Sequence, residues 1–588
     1  MCGIAGIMTS NGALPPTVVV QSMEAALRHR GPDGHGYYAK NDIGMIQTRL
    51  AIIDLATGDQ PLYDTNGTVL VANGEIYNYI ELRAMLSDVT FKTQSDCELA
   101  LHLYRRYGLD FVRYLRGMYA IAIYDPSTGR LVLARDPFGI KPLYYSESHS
   151  GIAFASEPHA LYKSGFVGAQ LATRGRNELL QMQFTTGRET IYRGISRVLP
   201  GEVIAIEKGR IVERRQIEAL PEAGIAQINA KDARAALDLA LAGSVNVHQR
   251  ADVPYGMFLS GGIDSSAVLA MMARLNARPV KALTIGFSGT TASDERALAR
   301  EVATSLGAEH IEIDFSEDDF WRLLPAVAIA MDDPAADYAI LPTYKLAAAA
   351  RKEGLKVILS GEGGDELFGG YGRYRSISRP WWRGGDKRMR ARGTFDGMGV
   401  LRGELTDWRA GMNEAEYMAA RSGRTKLQVA QAVDCADWLP NDLLTKLDRC
   451  LMAHGVEGRT PFLDVEIAAF AFCLPDELKI QNGLGKNILR EWLAEKVPAA
   501  QPFSKKRGFT VPVGEWIARH GVRLGKLVAA QESVRAFCKP GAVESLFRAA
   551  HKKRAGFAAW TLLFYALWHR HHIESHVLPP DVFEALQN

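Results

Sequence analysis

The chain has 588 residues, 47% hydrophobic and 23% charged, ordinary globular usage that excludes a disordered or collagen-like chain and leaves apolar material for more than one core. At about 150 residues per domain this length predicts two to four domains. The 69 Lys+Arg and 66 Asp+Glu give a formal net charge of +3, which offers no electrostatic ground for a nucleic-acid or anionic-membrane partner.

In chain order, the first 200 residues read as short strands between turns. Apolar or alternating runs fall at 43–49, 69–72, 118–124, 131–134, 152–155 and 203–207. Turn signals such as Asp64-Thr65-Asn66-Gly67 and Asp125-Pro126-Ser127-Thr128-Gly129 separate them. Helical patterns at 18–28 and 96–107 interrupt the strands, so an α+β domain is predicted over 1–215. The stretch 216–231, with Pro221, Gly224 and small residues, reads as a linker. From Asp232 the texture changes to longer, Ala-rich helical patterns at 233–245, 265–275, 295–306 and 344–352. Short β-rich runs at 255–259, 281–285 and 356–359 alternate with them, which predicts an α/β domain with a parallel sheet over 232–588. The basic run 387–392 is expected to be solvated, and the Arg- and Gly-rich stretch 379–403 to form a mobile excursion. Beyond Asp442 the chain reads as helical with several tryptophans, packed on the α/β core.

Six cysteines (Cys2, Cys97, Cys435, Cys450, Cys473, Cys538) lie without a CxxC pair or metal-ligand spacing, which fits a reducing compartment. The first residues lack a signal-peptide pattern, and no run of about 18 apolar residues occurs, so a cytoplasmic location is expected.

Cys2 becomes the first residue if Met1 is removed. An N-terminal thiol then has a base in its own α-amine, whose pKa of about 7.7–8.0 leaves it partly neutral near pH 7. Further motifs follow in order: Arg28-His29-Arg30-Gly31-Pro32-Asp33-Gly34, Arg49 at a strand end, Asn73-Gly74-Glu75, Ser95-Asp96-Cys97-Glu98, Ala134-Arg135-Asp136-Pro137-Phe138-Gly139-Ile140-Lys141-Pro142 and Phe154-Ala155-Ser156-Glu157. Alone, Asn73-Gly74 reads as a surface turn and Asp96 as a helix cap. Together the motifs resemble the class II, N-terminal-nucleophile glutamine amidotransferases. That resemblance implies an αββα sandwich with Cys2 as nucleophile on glutamine, and Asn73 and Gly74 as its oxyanion hole. It further implies a glutamine site from Arg49, Leu50, Ala51, Ile52, Ile53, Asn73, Gly74, Glu75 and Asp96, with Arg49 on the α-carboxylate.

A second constellation begins at Ser260-Gly261-Gly262-Ile263-Asp264-Ser265-Ser266, between a strand and a helix. Backbone N–H groups and a helix N-terminus suit a phosphate there, while the Walker ending Gly-Lys-Ser/Thr is missing. The loop resembles the signature of ATP pyrophosphatases. A further strand ends in Ser360-Gly361-Glu362-Gly363-Gly364-Asp365-Glu366, whose acids call for cations. Both loops are expected in one crevice at the carboxyl ends of the strands.

A class II glutaminase followed by such a domain resembles the glutamine-dependent asparagine synthetases over nearly the whole chain. The resemblance implies an adenine-nucleotide α-hydrolase-like fold, substrates glutamine, aspartate and ATP with Mg²⁺, and a homodimer. By it, Leu259, Ser260, Gly261, Gly262, Asp264, Ser265, Ser266, Ile285, Ser360 and Gly361 bind ATP, and Asp264 and Asp365 serve the metal. Glu362 assists acyl-adenylate formation, Lys486 neutralises phosphate charge, and Arg459 holds a substrate carboxylate. One segment departs from the family: Ile340-Leu341-Pro342 stands where asparagine-forming members have Ser-Thr-Pro. A substrate hydroxyl is therefore missing or supplied by Thr343, and another carboxylate, in cell-wall or natural-product chemistry, is the alternative acceptor.

Overall fold

The computed structural model describes residues 2–290, 294–377, 379, 388–504 and 511–587. Met1 and residues 380–387, on which the α-amine and part of the 379–403 expectation rest, lie outside the described residues.

Two six-stranded antiparallel sheets make the N-terminal part. One runs in the order Ser196–Arg197, Tyr144–Ser148, Gly151–Ala155, Gly3–Thr9, Ile43–Arg49, Gly34–Lys40. The other runs Arg210–Gln216, Glu202–Glu207, Arg130–Arg135, Gly117–Asp125, Val69–Ile76, Leu62–Tyr63. Their facing sides interleave through Ile4, Met8, Met45, Val71, Ala122 and Leu133. The opposite sides are covered too: Thr17–Leu27 lays Val20, Met23 and Leu27 on Ala5 and Ile46, and Glu98–Tyr107 lays Leu99 and Leu103 beside Ala72 and Ile121. Burial on both faces is why these strands read as apolar runs rather than clean alternation. The result is an αββα sandwich.

The strand predicted at 69–72 continues to Ile76, so Asn73-Gly74-Glu75 is paired strand and not a surface turn, with Asn73 opposite Ala120 and Glu75 opposite Met118. Pairing this close requires glycine at 74, where a Cβ would sit 2.2 Å from the Met118 carbonyl.

Residues 217–229 hold no helix or strand; Asn229 then caps the helix Ala230–His248 by accepting from the Asp232 N–H. Five parallel strands follow in the order Glu309–Asp314, Lys281–Gly286, Tyr255–Phe258, Val357–Leu359, Glu457–Arg459. The chain moves outward from Tyr255–Phe258 on one side and returns to build the other. Order therefore reverses between Tyr255–Phe258 and Val357–Leu359, where an open α/β sheet forms its crevice.

The C-terminal part is helical. Its central helix, Lys553–His572, is buried nearly all round and docks on the 331–336 segment, where Trp560 donates to the Ala336 carbonyl (2.7 Å) and Trp568 to that of Met331 (3.0 Å). The described part of 379–403 is fastened rather than free. Thr394 N–H donates to the Gln181 carbonyl (3.0 Å), Phe395 is buried, and Arg390 lies over the Trp438 ring at 3.8 Å instead of in solvent. Among the described residues no helix is long and apolar enough to cross a membrane.

Candidate active site

Cys2 immediately precedes the central strand Gly3–Thr9, and neighbouring side chains pin its backbone. Asn73 Oδ1 accepts from Cys2 N–H at 3.0 Å, Thr48 Oγ1 from Gly3 N–H at 3.1 Å, and Ser156 Oγ from Ile4 N–H at 3.0 Å. The Asn73 amide nitrogen is buried and has no hydrogen-bond partner among the described residues. A buried donor without a partner is costly unless something in the site accepts from it. Cys2 is 8% exposed, and burial pushes its thiol above the ordinary range. A backbone bond from Leu50 and the Arg49 guanidinium draw it down, while Glu75 adds to the rise, so these predicted residues share one environment. Such a thiol needs a base before it can act as a nucleophile.

Arg49 ends its strand with the guanidinium on the Asp54 carbonyl (2.5 Å) and on Asp59 Oδ1 (2.7 Å). Leu50, Ala51 and Ile52 are buried and Ile53 half-buried beside it. Asp96 accepts from Ile76 N–H at 2.6 Å, and burial lifts its carboxyl to about 6. Glu75 is lifted further by burial and by the nearby carboxylates of Glu457 and Asp96. Two acids held this high are suited to receive a cation.

The loop 260–262 leaves Tyr255–Phe258 and turns at Gly261 (φ +69°) into the helix Ile263–Leu275. Ser260 and Ser265 hydroxyls stand 3.0 Å apart, and Gly262 N–H donates to Ser260 Oγ. Leu259, just past its strand, and Ile285, on the adjoining one, are buried, the Leu259 N–H bonded to the Leu283 carbonyl. The second loop comes within contact of the first: a Cβ on Gly361 would lie 2.9 Å from Asp264 Cβ. Lys486 closes the gap, with Nζ bonded to Asp264 and 2.7 Å from Asp365 Oδ1. Ser360 donates to Glu362 Oε2. The expected cation-binding carboxylates thus meet around a lysine. Among the described residues no cluster of three or more Asp, Glu, His or Cys is arranged to cage a metal by itself.

Two residues make contacts the sequence did not suggest. Arg459, predicted at an acceptor carboxylate, is 0% exposed, with Nε on Glu457 (2.6 Å) and Nη1 on the carbonyls of His248 (2.8 Å) and Arg250 (2.7 Å). Its Nη2 faces Glu75 Oε2 of the N-terminal part at 3.4 Å. Thr343 donates back to the Ala339 carbonyl (2.7 Å), and Ile340 and Leu341 are 0% exposed.

Residues without a predicted role join the two parts. Arg30, 0% exposed, donates to the Cys2 carbonyl (3.1 Å), to Glu157 Oε1 (2.7 Å) and to both oxygens of Asp448 (2.8 and 3.0 Å). Arg449 continues the network to Asp448 (2.8 Å) and Asp332 (2.7 Å). Arg30 and Glu157 lie in motifs quoted above; their charge and place in those motifs were the only signal.

Both parts of the chain match known proteins. Residues 1–216 match the model of the glutamine amidotransferase domain, and residues 236–570 that of asparagine synthase. Asparagine synthetase (glutamine-hydrolyzing) 1 of Bacillus subtilis (strain 168) is 32% identical over 631 aligned residues, covering 99% of this chain and 98% of that protein. A putative asparagine synthetase (glutamine-hydrolyzing) of Mycobacterium tuberculosis (strain ATCC 25618 / H37Rv) is 33% identical, with 98% of each covered. Asparagine synthetase B of Escherichia coli (strain K12) is 30% identical, covering 88% of this chain and 83% of its own length. The chain belongs to the glutamine-hydrolysing asparagine synthetase family.

Proposed function

We propose that the protein makes L-asparagine from L-aspartate, ATP and glutamine, with residues 1–215 as glutaminase, 216–231 as linker and 232–588 as synthetase. The observation that carries this reading is the meeting of the 260–266 and 360–366 loops around Lys486 at the sheet's switch point, in a chain whose Asn73 holds Cys2.

In the first half-reaction the α-amine takes the Cys2 proton, and Sγ attacks the glutamine side-chain amide. Asn73 and Gly74 stabilise the oxyanion, ammonia leaves, and water releases glutamate from the thioester. Arg49 binds the α-carboxylate, while Glu75 and Asp96 take the α-ammonium. In the second, the aspartate β-carboxylate attacks the α-phosphorus of ATP, giving β-aspartyl-AMP and pyrophosphate. The serines and backbone of the first loop cradle the phosphates, Lys486 offsets the developing charge, and Glu362 orients the acyl group. Ammonia then displaces AMP.

Two carboxylates close enough to share one lysine fit Mg²⁺, which is commonly held by one or two acids plus phosphate and water. Asp264 and Asp365 would hold it with ATP, where it supplies charge neutralisation at the phosphates. A cavity of about 10 Å³ between the halves is lined by Ile140, Lys141, Leu444, Leu447, Asp448 and Gly458. That is room for one small molecule.

The apolar Ile340-Leu341-Pro342 segment at the start of the helix Ile340–Lys352 favours a second reading, in which the same chemistry amidates a different carboxylate. Mass spectrometry of products from enzyme with ATP, Mg²⁺, aspartate and amide-¹⁵N glutamine separates them. The first reading requires labelled asparagine with AMP and pyrophosphate. Glutamate without AMP or asparagine overturns it and points to another acceptor.

A further inference from the structure

Arg459 is the last residue of the edge strand Glu457–Arg459, and its main chain and side chain face different sites. Its carbonyl accepts from Ser360 N–H at 2.9 Å, so the first peptide of the 360–366 loop hangs from Arg459. Its guanidinium crosses into the N-terminal part, to Glu75 Oε2 at 3.4 Å. Nothing else about this side chain is free to move. Glu457 and the carbonyls of His248 and Arg250 hold its other nitrogens, and the Tyr77 ring lies 5.6 Å away.

Glu75 needs that cation. It is buried, lies near the carboxylates of Asp96 and Glu457, and takes no hydrogen bond on Oε2 among the described residues. Burial and both acids push it toward the neutral form, while Arg459 opposes them. Glu75 also lies on the same strand as Asn73, two residues from the amide that holds Cys2 N–H. A line of covalent bonds, hydrogen bonds and one 3.4 Å charge contact, between Arg459 and Glu75, thus runs from Ser360 to Cys2.

We propose that Arg459 is a positioning residue coupling the two sites: its side chain fixes the Glu75 carboxylate for the α-ammonium of glutamine, and its backbone transmits the position of the nucleotide loop. This rests on the reading of Cys2 as the glutamine nucleophile and of the 360–366 loop as nucleotide-binding. Glutamine capture then depends on whether nucleotide is bound. The reverse also holds, because coupling between binding sites is reciprocal.

The test compares two alkylators of Cys2 in the full-length protein, followed by mass spectrometry. 6-Diazo-5-oxo-L-norleucine carries the glutamine α-ammonium; iodoacetamide does not. In Arg459→Lys and Arg459→Met, inactivation by the diazo compound at subsaturating concentration is expected to slow by about tenfold, the scale of one lost charge-assisted contact. Alkylation by iodoacetamide stays within about twofold in both, which a collapsed site would not allow. With α,β-methylene-ATP and Mg²⁺, the wild-type diazo rate changes by about fivefold or more, and in both variants the nucleotide effect disappears. Glu75→Gln, which leaves Arg459 and the sheet untouched, gives the same two losses and covers the case in which an Arg459 variant fails to fold.

An unchanged diazo rate in the Arg459 variants overturns the proposal. So does a nucleotide effect that survives in them or is absent from the wild type. Failure of the underlying reading looks different. Wild-type Cys2 would then react with iodoacetamide but not with the diazo compound, or equilibrium dialysis would detect no binding of the nucleotide analogue.

Discussion

Asp59 puts a carboxylate oxygen 2.7 Å from Arg49 Nη1 on a side chain that is 82% exposed. It occupies the place where the α-carboxylate of glutamine is proposed to go, and so competes with it. Arg49 is 9% exposed, and a pair with one partner open to solvent is worth no more than about 1 kcal/mol. Asp59→Ala is therefore expected to lower the KM for glutamine about two- to fivefold in a glutamate-release assay, with kcat unchanged. A rise in KM would mean that Asp59 orients Arg49 rather than competing for it. Asp96 sets the acid limit of the same step. Burial lifts its carboxyl to about 6, against the Ile76 N–H bond and the Arg459 charge that pull it down. A carboxyl raised in this way takes its proton as pH falls through 6 and stops attracting the α-ammonium. kcat/KM for glutamine hydrolysis should thus hold above that pH and fall below it, and Asp96→Asn should be low throughout. A flat profile down to pH 5 in the wild type would remove Asp96 from ammonium binding.

At the scale of elements, the proposed ATP chemistry depends on two turns touching. Gly361 lies against the start of the neighbouring helix, where an added Cβ would come within 2.9 Å of Asp264 Cβ and 3.0 Å of the Ser265 nitrogen. Overpacking of this kind costs about 1–3 kcal/mol and is relieved here by parting the loops. Gly361→Ala is expected to cut AMP formation at least about tenfold while glutamate release at Cys2 stays normal. Equal loss of both activities would show instead that the fold had failed. Which elements were legible follows from burial. Runs such as 43–49 and 118–124, covered on both faces, announce themselves by apolar content alone. Gly34–Lys40 is an edge strand with alternating exposure and carries glycine, histidine and lysine, so it has no such signal. Glu457–Arg459 is three residues long, two of them charged, and is a strand only because Val357–Leu359 pairs with it. Tertiary pairing overrode local preference there.

For the whole molecule, the junction between the halves combines buried and half-exposed ion pairs, and the two kinds behave differently. Motif residues such as Asn73, Ser260 and Lys486 could be singled out because each stands in a short run of neighbours that suggests a chemistry. The Arg30–Asp448 pair was not, since its members are 418 positions apart and no spacing rule reaches that far. Yet this pair ties the Cys2 carbonyl to the helix Thr445–Met452. Burial works against the Asp448 charge, but Arg30 and Arg449 outweigh it and hold the carboxyl below its ordinary range. Asp448→Asn keeps the shape and leaves two buried guanidiniums short of one negative charge. Loss of one partner from a buried pair costs about 3–5 kcal/mol. Asp33 is the contrasting case: its bond to Lys356 (2.8 Å) also crosses the junction, with the two side chains 26% and 23% exposed. Asp33→Asn should cost no more than about 1 kcal/mol. Differential scanning calorimetry is expected to show a large fall in the unfolding midpoint for Asp448→Asn and a small one for Asp33→Asn. Because salt screens exposed charges far more than buried ones, 0.5 M NaCl should shrink the second difference and leave the first. Product ratios should divide the same way. Asp448→Asn makes glutamate in excess of amide product, since Arg30 no longer holds Cys2 against the synthetase half, while Asp33→Asn keeps the two in step. A wild-type ratio in Asp448→Asn would limit the network to stability and leave Arg459 to carry the coupling.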